Sequence, residues 1–164
     1  MLSPEQEFTG SLHLRVKEIA ALTVGDVYSA TGEVKSFVAL TAEQTKDRQG
    51  RTIVLNTKLK DSLQSYLRTS KLKLHETSKP LLRSQKGSAF SANSLCQLFA
   101  RLYSAAGIEG ATSHSGRRTF ITNLAHKGVS AKVLMTLAGH KHMSTTQRYI
   151  DVNDAMLAQA VELA

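Results

Sequence analysis

The chain has 164 residues, 41% of them hydrophobic and 21% charged; it can bury a core without disulfides or a structural metal and is unlike a disordered or collagen-like chain. One cysteine, Cys96, excludes an internal disulfide framework; no apolar run reaches the ~20 residues of a membrane span, and the opening MLSPEQEFTG has no signal-peptide pattern, so the expected address is the cytoplasm. Lys and Arg number 21 against 13 acids, a formal charge of +8, which favours a polyanionic partner, nucleic acid before anionic membrane.

In chain order, residues 14–22 (LRVKEIAAL) predict a helix with Leu14, Ile19 and Leu22 near one face, broken over Thr23 to Asp26. Residues 33–40 (EVKSFVAL) and 51–55 (RTIVL) predict two strands, and the polar connection ending in Gly50 suits a hairpin. An amphipathic helix over 57–68 follows from Leu59, Leu63, Tyr66 and Leu67. Residues 69–90 read as a basic, Ser-rich loop that divides the chain into two unequal parts. Beyond it Ser91 caps a helix over 92–106, with Leu95, Leu98, Phe99 and Leu102 on one face and Gly107 at the C′ position. Further helices are expected over 115–127 up to Gly128, from Ser130 to Gly139, and from Ser144, whose capping box with Gln147 opens a short helix carrying Tyr149. A last helix, 155–164, has Met156, Leu157, Ala160, Val161 and Leu163 as its apolar residues. The fold class is α+β, mainly α, with one small antiparallel β-sheet near the N-terminal side.

Charge is unevenly spread. From Gly110 to Ile150 there are six basic residues (Arg117, Arg118, Lys127, Lys132, Lys141, Arg148), four of the six histidines and no Asp or Glu. These cations lack neighbouring carboxylates in sequence, so they call for an external anion or a distant acid.

Six polar residues suit chemistry at a phosphodiester: Arg15 at the start of the first helix, Lys46 in the hairpin loop, His114 and Arg117 at i and i+3, His140 after Gly139, and Tyr149 nine residues later. Guanidinium groups donate in pairs to phosphate oxygens and stay charged. Phosphoryl transfer needs charge neutralisation and positioning above all. A phenol, with an ordinary pKa of about 10, becomes a nucleophile only beside a base and cations.

This set resembles the signature of the tyrosine recombinases, the phage integrase family. LRVKEIAALTVGDV is similar to the family's first arginine box, with Glu18 at the acidic position. EQTKDRQGRTIVLN resembles the hairpin bearing the family lysine, SHSGRRTFITNLAHKG the His-x-x-Arg box, and LAGHKHMSTTQRYIDV the box of the final histidine and the nucleophilic tyrosine. The likeness runs in order from about residue 14 to the end. It implies an integrase-type catalytic domain over 1–164, without the family's N-terminal DNA-clamping domain.

The resemblance also implies a mechanism. Tyr149 attacks a phosphodiester of double-stranded DNA, giving a 3′-phosphotyrosyl link and a 5′-hydroxyl. Arg15 and Arg117 hold the non-bridging oxygens, Lys46 protonates the leaving oxygen, His114 exchanges a proton with Tyr149, and His140 donates to the phosphate. No nucleotide cofactor and no metal are expected. The family assembles as a tetramer, which here would involve residues 155–164, packed in trans or folded back. No membrane role is expected.

Taken singly, each residue has an ordinary structural reading: Arg15 as a surface residue, Lys46 as a solvated lysine near Lys35, Arg48 and Arg51, His114 and His140 as helix caps, Tyr149 as a core aromatic. His126, His140 and His142 could bind zinc, although no Cys or acid is at hand in that stretch to complete a tetrahedral site. Residues 118–139 could form a helix-turn-helix, but Val133, Leu134 and Leu137 look like core. A non-catalytic DNA-binding remnant and a type IB topoisomerase-like relaxase remain as alternative functions.

Overall fold

The structure is a computed structural model that describes residues 14–45, 48–84, 87–150 and 154–162. The chain divides into two compact units, residues 1–117 and 118–164.

In the first unit Arg15 is the N-cap of α1 (Val16–Ala21), which ends at the extended Leu22. Thr23 immediately caps a second short helix, α2 (Val24–Val27), through its hydroxyl and Asp26, so the expected break is a restart rather than a loop. Strands β1 (Phe37–Leu40) and β2 (Arg51–Val54) pair antiparallel, Val38 opposite Ile53 and Leu40 opposite Arg51. The first strand is shorter than predicted. Val34 only bridges back to Tyr28, and Lys35 N–H bonds to Val27, so residues 33–35 return the chain from α2, and cross-hairpin bonding starts at Ser36, whose carbonyl accepts the Leu55 N–H at 3.0 Å. The two-residue period puts Val38, Leu40 and Ile53 inward and leaves Phe37 and Val54 exposed.

Asn56 caps α3 (Thr57–Thr69), which buries Leu59 and Leu63. The buried Tyr28 donates its hydroxyl to the Leu63 carbonyl at 2.8 Å, and burial pushes its phenol pKa up. Ser91 caps α4 (Ala92–Ala105), which buries Leu95 and Phe99 and packs on α1.

Residues 69–90 do not separate two parts of the chain. Leu81 and Leu82 are buried in the same core as α1, β1, β2, α3 and α4. Three backbone bonds, Val24 to Lys79, Gly25 to Thr77 and Leu81 to Leu22, tie the segment to α2 and the end of α1. The segment is so close that a Cβ on Gly25 would lie 2.9 Å from the Thr77 Cβ, which explains the glycine. Arg83 donates to Glu76 at 3.1 Å and holds that carboxyl below the usual carboxylate range.

Helix α5 (Ser115–His126) begins in the first unit and continues into the second, where Ile121 and Ala125 are buried. Ser130 caps α6 (Ala131–Ala138), and Gly139 ends it in the left-handed conformation, φ 61°. Leu134 and Ala138 are buried, whereas Val133, expected in the core, is exposed. Helix α7 (Met143–Gln147) packs on α6. Its N-cap is His142, not Ser144, and Tyr149 falls in the turn just after it rather than within it. Starting at Met143 leaves Ser144 exposed inside the helix and turns Thr146 to the interior, where it is fully buried. Helix α8 (Asp154–Val161) stands where the last helix is expected, and its Leu157 and Val161 are exposed. The side chains of Met156 and Leu163 lie outside the described residues.

Candidate active site

Arg15, His114 and Arg117 belong to the first unit, His140 and Tyr149 to the second. Lys46 lies outside the described residues.

Arg15 is held by Glu18, one turn along α1. The Glu18 carboxylate is completely buried. Its Oε2 accepts the Arg15 backbone N–H at 2.7 Å, satisfying a donor at the helix start, and its Oε1 accepts from Arg15 Nη1 at 3.3 Å. Arg51, the first residue of β2, donates Nη2 to the same Oε2 at 2.9 Å. One buried carboxylate thus lies between two guanidinium groups and ties the hairpin to α1. A net positive charge remains there, and the Arg15 side chain keeps 23% of its surface accessible. A guanidinium oriented in this way is suited to a phosphate oxygen.

Thr45, which precedes Lys46 in the chain, is buried, and its hydroxyl lies within bonding distance of the Ala42 and Gln49 carbonyls. Lys17, Ala42, Glu43, Thr45 and Arg48 line an open cavity of about 340 Å³ at the foot of the hairpin connection. Arg48 adopts φ 52°, an uncommon backbone conformation for a side-chain-bearing residue.

His114 sits in a turn one residue before α5, with its N–H on the Thr112 hydroxyl, and is exposed. Arg117, in the first turn of α5, is 93% buried (7% exposed). The i, i+3 pair thus sits at the start of a helix, His114 immediately before α5 and Arg117 in its first turn. Ser113, beside His114, accepts from the Cys96 thiol at 3.3 Å.

The second unit brings His140 and Tyr149 together. Gly139 turns the chain out of α6, and the His140 N–H caps the Met135 carbonyl at 3.0 Å. His140 Nδ1 lies 2.9 Å from the Thr146 hydroxyl. The Tyr149 N–H bonds to the Thr146 carbonyl at 3.0 Å. The two rings stack with centroids 5.9 Å apart and planes inclined by 20°. In the same unit Arg118, Lys127, Lys132, Lys141 and Arg148 are all exposed. Among the described residues no three His, Cys, Asp or Glu side chains gather to hold a metal ion, so His126, His140 and His142 do not form the zinc site considered above.

Two residues of these clusters escaped the sequence reading. Arg51 figured only as a neighbour of Lys46, because nothing local announces an ion pair formed 33 residues away. Thr146 carried no signal beyond its place three residues before Tyr149.

The family model for the phage integrase family matches residues 7–156. The tyrosine recombinase XerD of Oceanobacillus iheyensis is 29% identical over 148 residues, covering 88% of this chain and 48% of that protein. The tyrosine recombinase XerA of Pyrococcus horikoshii is 29% identical over 155 residues, covering 92% of this chain and 50% of its own. The chain thus spans about half the length of the curated relatives it matches. Among solved structures, that of a XerA recombinase superposes with a TM-score of 0.74 at 22% identity over 98% of this chain and 55% of the other. The Tn1549 transposon integrase, solved in complex with a circular intermediate DNA, gives 0.72 at 21% identity over 96% and 56%. Both have the same fold as this chain.

Proposed function

The chain belongs to the phage integrase family, and on that premise we propose that it is the catalytic domain of a site-specific tyrosine recombinase that cleaves and rejoins double-stranded DNA. The observation that carries the reading is the joint placement of His140 and Tyr149: a phenol in a turn, stacked on an imidazole, in a unit whose cations face solvent.

In this reading the Tyr149 oxygen attacks phosphorus, its proton passing to His114. The 3′-phosphotyrosyl bond forms as the bond to the 5′-oxygen breaks, and Lys46 supplies the proton to that leaving oxygen. Arg15 and Arg117 neutralise the non-bridging oxygens in the transition state, and His140 adds a hydrogen bond. The pairing of Arg15 with Glu18 supports its part, because a guanidinium already oriented by a buried carboxylate needs little reorganisation. The phosphotyrosyl link conserves the energy of the phosphodiester, so rejoining is the reverse attack by a 5′-hydroxyl.

The test is covalent capture. A duplex nicked close to the scissile phosphate loses its short cleaved fragment by diffusion, so a competent enzyme accumulates as a protein–DNA adduct resistant to denaturation. Retained duplex binding with no adduct would instead favour a non-catalytic DNA-binding role.

DNA binding by this chain is expected to be weak and strongly salt-dependent. Each phosphate neutralised steepens the fall of log K with log salt by about 0.9. A binding curve that does not change between low and physiological ionic strength would count against phosphate contacts by the exposed cations.

We assign helix α8 to assembly. Leu157 and Val161 are exposed, and an isolated helix of this length is marginal in water, so a neighbouring protomer is the partner that would bury them. Passing the helix around a ring gives a closed, heterologous contact that suits a tetramer on paired sites. Removing residues 155–164 should then reduce self-association on DNA and alter cleavage together. If the shortened protein assembles and cleaves like the full chain, α8 has no such role.

A further inference from the structure

We propose that Thr146 is a positioning residue, whose buried hydroxyl donates to His140 Nδ1 and fixes the imidazole in the tautomer with its proton on Nε2. Thr146 is fully buried, and its Oγ1 lies 2.9 Å from His140 Nδ1. A hydroxyl has one proton and two lone pairs, and a neutral imidazole has one N–H and one accepting nitrogen. Two arrangements are therefore possible for this contact.

If Nδ1–H were the donor, the hydroxyl proton would need another acceptor. Among the described residues His140 Nδ1 is the hydrogen-bond partner of that oxygen, so this arrangement leaves a donor buried and unsatisfied, which is costly. If the hydroxyl is the donor, its proton and the Nδ1 lone pair satisfy each other, and the imidazole proton resides on Nε2. The satisfied arrangement is the one the fold selects.

This inference rests on the function proposed above and deepens it. A phosphate oxygen only accepts hydrogen bonds, so a histidine that assists at the phosphate must present a proton. Thr146 sets that state before any substrate arrives. The same residue also holds the nucleophile's backbone, since its carbonyl accepts the Tyr149 N–H at 3.0 Å. One buried residue thus links the imidazole through its side chain and the tyrosine through its main chain, and the stack of the two rings follows from both.

The experiment is nitrogen NMR of the full chain labelled with ¹⁵N-histidine, at a pH above the imidazole titration range. His140→Gln assigns the His140 signals by their loss. The wild type should show Nδ1 as an unprotonated and Nε2 as a protonated ring nitrogen. Thr146→Ser should keep that pattern. Thr146→Val, nearly isosteric and without a hydroxyl, should move both signals toward a mixture of tautomers. A wild-type signal for protonated Nδ1, or an unchanged tautomer in a folded Thr146→Val protein, overturns the proposal; should that variant not fold, the wild-type spectrum alone decides. On the nicked duplex Thr146→Val should slow adduct formation by up to about tenfold, the scale of one neutral hydrogen bond, with DNA affinity unchanged and Thr146→Ser restoring the rate. Equal rates in Thr146→Val and wild type also overturn it. If wild type forms no adduct, the recombinase reading fails, while the ring-nitrogen signals still decide the tautomer.

Discussion

Replacing Tyr149 by Phe is expected to abolish covalent attachment to a nicked duplex, a loss of more than about a thousandfold, while leaving duplex affinity nearly unchanged. The substitution removes one oxygen and keeps the ring. The aromatic face that stacks on His140 remains, and the backbone N–H that bonds to Thr146 is untouched. Lost attachment would therefore report on the oxygen rather than on disrupted packing. Affinity should persist because it derives from Lys and Arg contacts to phosphate, and Arg118, Lys127, Lys132, Lys141 and Arg148 stay exposed and charged. Gel analysis under denaturing conditions reads the adduct, and a native shift reads the affinity. An undiminished adduct in Tyr149→Phe would falsify the nucleophile assignment.

The parts of the fold that the sequence announces are those in which one element carries its own evidence. Leu59 and Leu63 mark the buried face of α3, and Ser91, Leu95, Phe99 and Gly107 bracket α4, because helical period and end chemistry are local. The last box was legible for a similar reason, with Gly139, His140 and Tyr149 placed by one helix end and one short turn. Misread segments were decided by distant partners. Residues 69–90 look like a polar linker, yet Leu81 and Leu82 complete a core supplied mostly from elsewhere. Residues 33–35 have strand-like composition, but Val34 and Lys35 pair back onto the end of α2. Ser144 and Gln147 have the spacing of a capping box, yet the helix begins earlier and buries Thr146. Arg15 is announced by its motif, but the Arg51 partnership with Glu18 is not, since only the folded hairpin brings the two together. Sequence periodicity states which face is buried; it does not state against what.

Glu18→Ala is expected to destabilise the protein by about 3 kcal/mol or more, the cost of breaking a buried ion pair by removing one partner. The carboxylate is fully buried and accepts from three donors, the Arg15 backbone N–H and both the Arg15 and Arg51 guanidinium groups. Its removal leaves two cations side by side, with 23% and 15% of their side-chain surfaces exposed. That partial exposure lets water recover some solvation, which is why the lower end of the range for buried pairs applies. The start of α1 also loses the acceptor for the Arg15 N–H, a loss of about 1 kcal/mol on the scale of helix caps. Arg51→Met should cost less, because the buried Glu18 carboxylate keeps the Arg15 backbone N–H and guanidinium as donors and an unbranched apolar chain remains beside α1. Urea unfolding separates the cases: a lower midpoint at unchanged slope reports lost stability, with Glu18→Ala shifted further than Arg51→Met. Midpoints equal to wild type within about 0.5 kcal/mol, the scale of an unremarkable surface change, would mean that the carboxylate does not hold the hairpin to α1. If it does hold it, stability and the orientation of Arg15 are set by one group, and any substitution that weakens this bridge should slow cleavage before it unfolds the domain.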